Sequence, residues 1–375
     1  MTSQLKALIF EEKIKISVEG STIMKHTAAF LLLCAFLMGC DAASNPFADG
    51  IDASEGAGDG EDADEDAGDG GLDGADDETG DEVVDNPLLF NPDDDIPDDI
   101  KGDIANVVFD ADAGTLVVTG LTLDETPIDA TYTRAPALDK NGFLAYTAQD
   151  SSLDRHFTAF VAQGTSVTAF TAGSPLPRNR TFKGAFFDRD GAYDPPEVTA
   201  TAGLVTYSGT YVGVVNSGGV GSDLISTTIT PTVLQPIQSF TTQGDVLINA
   251  DFADNNVEGN IFNRELQDTE GNLITELPSI VLITTDIDQN GSFTGNVEYD
   301  ILDPRGNTDG AFIDVGAYAG VFGGEDASEI AGGIDLTEFD GRADPLGFEN
   351  ELESGAFILN ACTPASTDPV CQQLP

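Results

Sequence analysis

From Ile104 to the C-terminus the apolar residues recur at every second position in short runs, and no stretch sustains the three-and-four spacing of a helix. Val107, Val108 and Phe109 lead into a break at 110–114, and a second run follows from Thr115 to Leu123. Further runs lie at Ile128–Tyr132, Phe143–Thr147, His156–Ala162, Ser166–Phe170 and Thr181–Phe187, with Asp, Gly, Asn or Pro between them. β-Branched and aromatic residues set between such breakers are the signature of strands joined by hairpins. The expected fold class is all-β, and a first β-rich, handle-like unit is expected over 101–198, closed by the breaker-rich stretch Asp188–Pro196.

A second unit is expected over 199–360. Tyr207, Gly209, Tyr211 and Gly213 fall on one face of a strand, a large and small alternation that suits a tightly curved sheet. Val246–Phe252 and Val257–Phe262 form a hairpin across 253–256, and Ile280–Thr285 forms another with Phe293–Ile301. With Leu224–Thr230 and the runs around Ala317–Phe322 and Ser328–Leu336, the strands number about eight, and Gly355–Asn360 adds a last one. Meandering hairpins in this number predict an eight-stranded antiparallel up-and-down barrel, because closure removes the exposed edges.

Two of these stretches resemble a known family. In Gly316–Gly332, Tyr318, Gly320 and Phe322 stand on one strand, a glycine-rich turn follows, and Ala327, Glu329 and Gly332 come after it. This is similar to the closing hairpin of the transferrin-binding protein B type barrel. Tyr207, Gly209 and Tyr211 resemble that family's opening strand, and Asp245–Asn263 its second hairpin. The resemblance covers about 200–360 and implies an eight-stranded barrel on a lipid anchor, often preceded by a β-rich handle. Family members bind host iron proteins, complement regulators or haem carriers through loops that have no match here, and this chain has one lobe rather than two. The motif glycines and aromatics therefore carry over as structure, and no ligand contact does.

The N-terminal part is of a different kind. Met24, Lys25 and His26 give a basic start, Thr27–Met38 is a mostly apolar run, and Leu37, Met38 and Gly39 lead to Cys40. The order is that of a secretory signal, and it resembles a bacterial lipoprotein signal in which Cys40 takes the lipid and becomes the new N-terminus. The apolar run is too short for a membrane span of about 20 residues. A signal is thus expected over 1–39, with Met24 as the true start, since residues 1–23 carry mixed charge. Cys40 then heads a linker over 40–100. From Asp49 to Asp99 there are 22 acidic residues and no Lys or Arg, so this stretch cannot bury enough apolar surface to offset its ordering entropy and is expected to be a disordered tether. Leu88, Leu89 and Phe90 are an apolar island within it, suited to docking on the folded body or on a partner.

Charge limits the partners. Of 66 acidic residues, 3 lie in 1–40 and 23 in 41–100, which leaves 40 against 11 Lys and Arg from Lys101 onward, a charge of about −29 on the folded part. Such a surface repels phosphate backbones, so nucleic acid is excluded as a partner. Of the four cysteines, Cys34 lies in the signal and Cys40 takes the lipid, and Cys362 with Cys371 is expected to form a disulfide that closes a loop within 361–375. Two thiolates without a nearby histidine do not complete a zinc site.

Catalytic constellations are scarce. His156 is the one histidine outside the signal, and the reading set against a catalytic base is a structural histidine paired with Asp154. No Gly-x-Ser-x-Gly elbow is present, and the loop 216–221 lacks the lysine of a phosphate cradle. Asp286, Asp288 and Asn290 match the first half of a calcium loop, but the twelfth position falls on Val297 and strands flank the segment, so a tight turn is set against a weak calcium site. No catalytic residue and no firm cofactor is nominated. The reading is a non-catalytic envelope protein, held on a membrane by lipid on Cys40, that presents a barrel to an unknown protein or small-solute ligand. A structural or adhesive lipoprotein with calcium-binding acidic turns is the alternative. Outer membrane or cell surface is favoured, and Asp41, which resembles an inner-membrane retention signal, keeps the periplasmic face open.

Overall fold

The computed structural model describes residues 88–90, 96–121, 127–175, 181–199, 202–228, 231–299, 314–337 and 351–373. The described chain is all-β and forms two antiparallel sheets. The first contains β1 (Leu88–Phe90), β2 (Ile104–Asp110), β3 (Thr115–Leu121), β4 (Pro127–Arg134), β5 (Leu144–Ala148), β6 (Phe157–Gln163), β7 (Val167–Gly173) and β8 (Lys183–Arg189) in sequence order. Residues 88–90, which the composition places in the acidic linker, pair with β2 in the register Leu88↔Phe109 to Phe90↔Val107. One helical turn, α1 (Asp98–Lys101), sits against β8, with Ile96 and Ile100 buried. The approach is too close for a side chain on the backbone that faces it: a Cβ on Gly184 would lie 2.1 Å from the Lys101 carbonyl oxygen.

The second sheet contains β9 (Leu204–Gly219), β10 (Gln238–Asp251), β11 (Asn256–Gln267), β12 (Leu273–Glu276), β13 (Ile280–Asp286), β14 (Ser292–Tyr299), β15 (Asp314–Gly323), β16 (Glu329–Thr337) and β17 (Leu352–Ala361). It is a closed barrel. β17 pairs back onto β9, with Phe357↔Tyr211 and Gly355↔Gly213 in register, and β10 pairs with both β9 and β11. Eight strands make the wall, while β12 pairs only with the end of β11, from Glu265↔Glu276 to Gln267↔Leu273. The stretch Leu224–Thr230, expected as a strand, is irregular over 224–228. Its backbone is used otherwise, for Ile225 N–H donates to Oε1 of Gln149 at 2.8 Å.

The barrel interior is packed by rings laid over cross-strand glycines. Phe293 faces Gly320, Tyr318 faces Gly295 and Phe357 faces Gly332 across the ladder. A Cβ on Gly332 would lie 2.2 Å from Cζ of Phe357 and 2.4 Å from the Ala319 carbonyl oxygen. Phe322 is the hub, with ring centroids of Phe252, Phe293 and Tyr207 at 5.2, 5.3 and 5.6 Å. Such tilted and edge-on pairs add to the gain from burial.

A second apolar layer lies between the handle sheet and the outside of the barrel. Phe160, Phe170 and Phe186 of the handle share one cluster with Val212, Val214, Ala331 and Ala356 of β9, β16 and β17. Each fully buried phenylalanine contributes on the order of 2–3 kcal/mol by transfer from water. Polar bonds fix the register of this contact. Thr171 Oγ1 donates to the Ser354 carbonyl at 3.0 Å, and the buried Glu329 carboxylate accepts the Thr165 and Ser166 N–H groups at 2.9 and 2.6 Å. Lys183 forms an ion pair with Asp335, whose carboxyl group is nonetheless held above the usual range because burial outweighs the lysine. Substitution of Gly332→Ala is expected to destabilise the protein by about 1–3 kcal/mol through overpacking, which thermal melting followed by near-ultraviolet circular dichroism would measure.

Candidate functional site

The two ends of the barrel differ in their connections. At one end the strands are joined by the turns 252–255, 287–291 and 324–328. There the disulfide Cys362–Cys371 closes the C-terminal loop, with Cα atoms 5.2 Å apart, and Cys362 N–H donates to the Thr206 carbonyl at 2.7 Å. At the other end run the long β9–β10 connection over 220–237 and the β11–β12 turn, joined where Thr269 Oγ1 donates to the Val220 carbonyl at 3.1 Å. Residues 300–313 and 338–350 lie outside the described residues.

At this end a cleft of about 340 Å³ opens between the β9–β10 connection and the β5–β6 loop of the handle. One wall is aliphatic, from Val233, Leu234, Pro236 and Ile237, and the other carries Asp154, Arg155 and His156. Val233 and Leu234 are 79% and 62% exposed, and Val220 on the same connection is 79% exposed. Large aliphatic side chains held this far into water carry a standing hydration cost.

The connection is pinned to the handle by polar bonds. His156 pairs through Nε2 with Oδ2 of Asp223 at 3.0 Å, so its carboxylate partner comes from the barrel connection rather than from the neighbouring Asp154 expected from the sequence. The chain runs straight into β6 at this point, and the imidazole turns inward beneath the connection, where it is almost wholly buried. The hydrogen bond from His156 holds the Asp223 carboxyl group below its ordinary range, helped by one from Thr147. Gln149 accepts the Ile225 N–H and donates to the Asp154 carbonyl at 3.0 Å, which braces both sides of the cleft. Arg155 Nη1 donates to Ser174 Oγ at 3.3 Å.

The other polar group of note lies inside the barrel. Arg264 Nη2 meets Oε2 of Glu353 at 2.7 Å, both side chains inaccessible to water, and Nη1 donates to the Pro278 carbonyl at 2.9 Å. Oε1 of Glu353 accepts from Tyr211 at 2.5 Å and also from Thr242. Burial and the neighbouring carboxylate push the Tyr211 phenol well above its ordinary range, so it stays a donor. All the side chains of this network are enclosed by the wall, which makes it part of the scaffold. The sequence held one signal for it, an arginine on an interior strand of a chain poor in cations.

The family-motif residues prove to lie in the wall and its turns. Tyr207 donates its hydroxyl to the Ala327 carbonyl at 2.7 Å, Ala327 has a left-handed backbone (φ 52°), and Glu329 brackets the β6–β7 turn of the handle. Gly209 lies against the backbone of β17. In the acidic turn, Oδ1 of Asp288 accepts the N–H groups of Asn290 and Ser292, each at 2.8 Å, and Arg189 donates to the Asn290 carbonyl at 2.7 Å. Asp286 ends β13 opposite Asn256. Among the described residues no three His, Cys, Asp or Glu side chains converge to hold a metal. Cys40 and most of the linker lie outside the described residues.

No family model matches the chain, and no curated protein matches it. Among the solved structures it matches are transferrin-binding proteins. Intact Ap-TbpB, with its N and C lobes, is 11% identical with a TM-score of 0.32, over 68% of this chain and 54% of that one. Transferrin Binding Protein B from Haemophilus parasuis Hp5, as a double mutant, is 12% identical with a TM-score of 0.31, over 69% and 54%. The isotype 1 protein from serogroup B Neisseria meningitidis is 12% identical with a TM-score of 0.29, over 69% and 51%. The chain thus spans about half the length of these proteins.

Two outcomes are expected. Glu353→Ala leaves Arg264 buried without its carboxylate and is expected to cost about 3–5 kcal/mol, whereas Leu at both positions costs less; denaturant unfolding of the single and double variants checks this. A depressed carboxyl pKa contributes stability that is full above the unfolded value near about 3.9 and is lost as the pH falls through the lower folded value. Carbon-detected NMR is therefore expected to show Asp223 titrating below its usual range in the native protein and returning toward it in His156→Asn.

Proposed function

We propose that this is a non-catalytic, lipid-anchored envelope protein whose handle and barrel present a binding cleft to a ligand. The observation that carries the reading is the cleft itself, with its exposed aliphatic edge at Val233 and Leu234, at the end of the barrel that bears the long connections. The signal-like stretch ending at Cys40 supports the anchor, and the acidic run Asp49–Asp99 supports a tether. A flexible chain of about 50 residues has a root-mean-square span of roughly 35–40 Å, which self-repulsion extends. This keeps the cleft off the membrane, a reach that serves binding and is superfluous for a protein that only fills space.

Cys40→Ser is expected to move the protein from the membrane fraction to the soluble fraction. Protease added to intact cells is expected to remove the barrel, which locates it on the outer surface. Survival of the barrel in intact cells, with digestion only after the outer membrane is opened, would place the ligand in the periplasm instead.

A further inference from the structure

We infer that the cleft takes an extended peptide segment of a protein partner, aliphatic on one side and flanked by lysine or arginine, with one of its backbone N–H groups donated to Nδ1 of His156. The inference rests on the binding reading above and adds the chemistry of the ligand. His156 is 1% exposed, and its Nε2 lies against a carboxylate, which only accepts hydrogen bonds. In the neutral ring Nε2 therefore carries the proton and Nδ1 presents a lone pair. Nδ1 is buried and has no partner among the described residues, although the residue that carries it lines the cleft. A buried acceptor without a donor is costly, and a ligand N–H that reaches it would recover that cost.

The opposite wall sets the rest of the ligand. Val233, Leu234 and Ile237 offer aliphatic surface across from the polar residues, and an extended backbone places a side chain on one wall while its N–H reaches the other. Exposed aliphatic residues recur on the same connection at Val220 and Ile225, more apolar surface than a small solute needs and suited to a macromolecule. Charge selects the sign of the flanks. Asp154 lines the handle wall, Asp223 of the β9–β10 connection lies against His156, the cation Arg155 is bonded to Ser174, and the folded part is strongly acidic, so basic flanking residues are drawn in and acidic ones repelled.

The test uses the full lipidated chain in detergent and three capped hexapeptides read by fluorescence anisotropy, alternating lysine and leucine, alternating glutamate and leucine, and alternating lysine and serine, together with a series in which the first peptide is N-methylated at each internal amide in turn. The lysine–leucine peptide is expected to bind at least tenfold more tightly than the other two sequences. N-methylation at one position is expected to weaken it about tenfold and at the others no more than twofold. Val233→Asp, at an exposed position that leaves the core intact, is expected to lower its affinity about tenfold. Equal binding of the lysine and glutamate peptides, or indifference to methylation at every position, overturns the inference. If no peptide binds while the exposed protein on cells still captures a partner in a Val233-dependent way, the peptide chemistry fails and the binding reading stands; if Val233→Asp changes neither, both fail.

Discussion

Four strands of the barrel are asked to satisfy two cores at once, and the rest of the molecule follows from how they do it. On the inner face β9, β15, β16 and β17 carry large residues such as Tyr211, Tyr318, Phe322, Ile334 and Phe357. On the outer face they carry small ones such as Val212, Val214, Ala319, Ala331 and Ala356, which let the handle sheet approach closely. Gly333 marks the limit of that approach, because a Cβ there would lie 2.8 Å from the Ala185 side chain and 2.9 Å from Ile100. The handle is therefore the outer half of a shared core, and its position relative to the barrel is set by packing.

Polar groups buried along this seam give it register. Glu329 caps the β6–β7 turn, Thr171 reaches Ser354, and Lys140, its ammonium pKa lowered by burial, donates to Gln267 at 2.6 Å. Buried polar bonds contribute modest net stability but penalise any shift that breaks them. Inside the barrel the Arg264–Glu353 pair acts in the same way, tying β11 to β17 across the lumen. The rigid seam ends at the long β9–β10 connection, where His156 and Gln149 hold irregular chain against the handle and leave the cleft between them. A rigid frame that carries an irregular, aliphatic edge is a usual arrangement for binding.

Much of the architecture was legible because β-structure writes its faces locally. The alternation from Phe293 to Tyr299 followed from period two, and the large and small residues at Tyr207, Gly209, Tyr211 and Gly213 pointed to the tight curvature of a small barrel. The cleft was not legible. His156 and Asp223 lie 67 positions apart, on connections of different sheets, so their meeting depends on how the sheets pack and no local pattern encodes it. The stretch Leu224–Thr230 has strand-like composition, but Gln149 of the handle takes the Ile225 N–H and the connection stays irregular. Leu88–Phe90 sits in an acidic context, yet the open edge of β2 gives its backbone a ladder to join.

From residue order alone come the all-β class, the up-and-down meander, the acidic character of the chain and the cysteine pair at its end, since each depends on composition or on spacing along the chain. The tertiary structure alone supplied the wall shared by two cores, the buried Arg264–Glu353 pair, the carboxylate that orients His156 and the cleft beside it. Each of these joins residues distant in sequence, and their distances are fixed only when the barrel closes and the handle packs on its side.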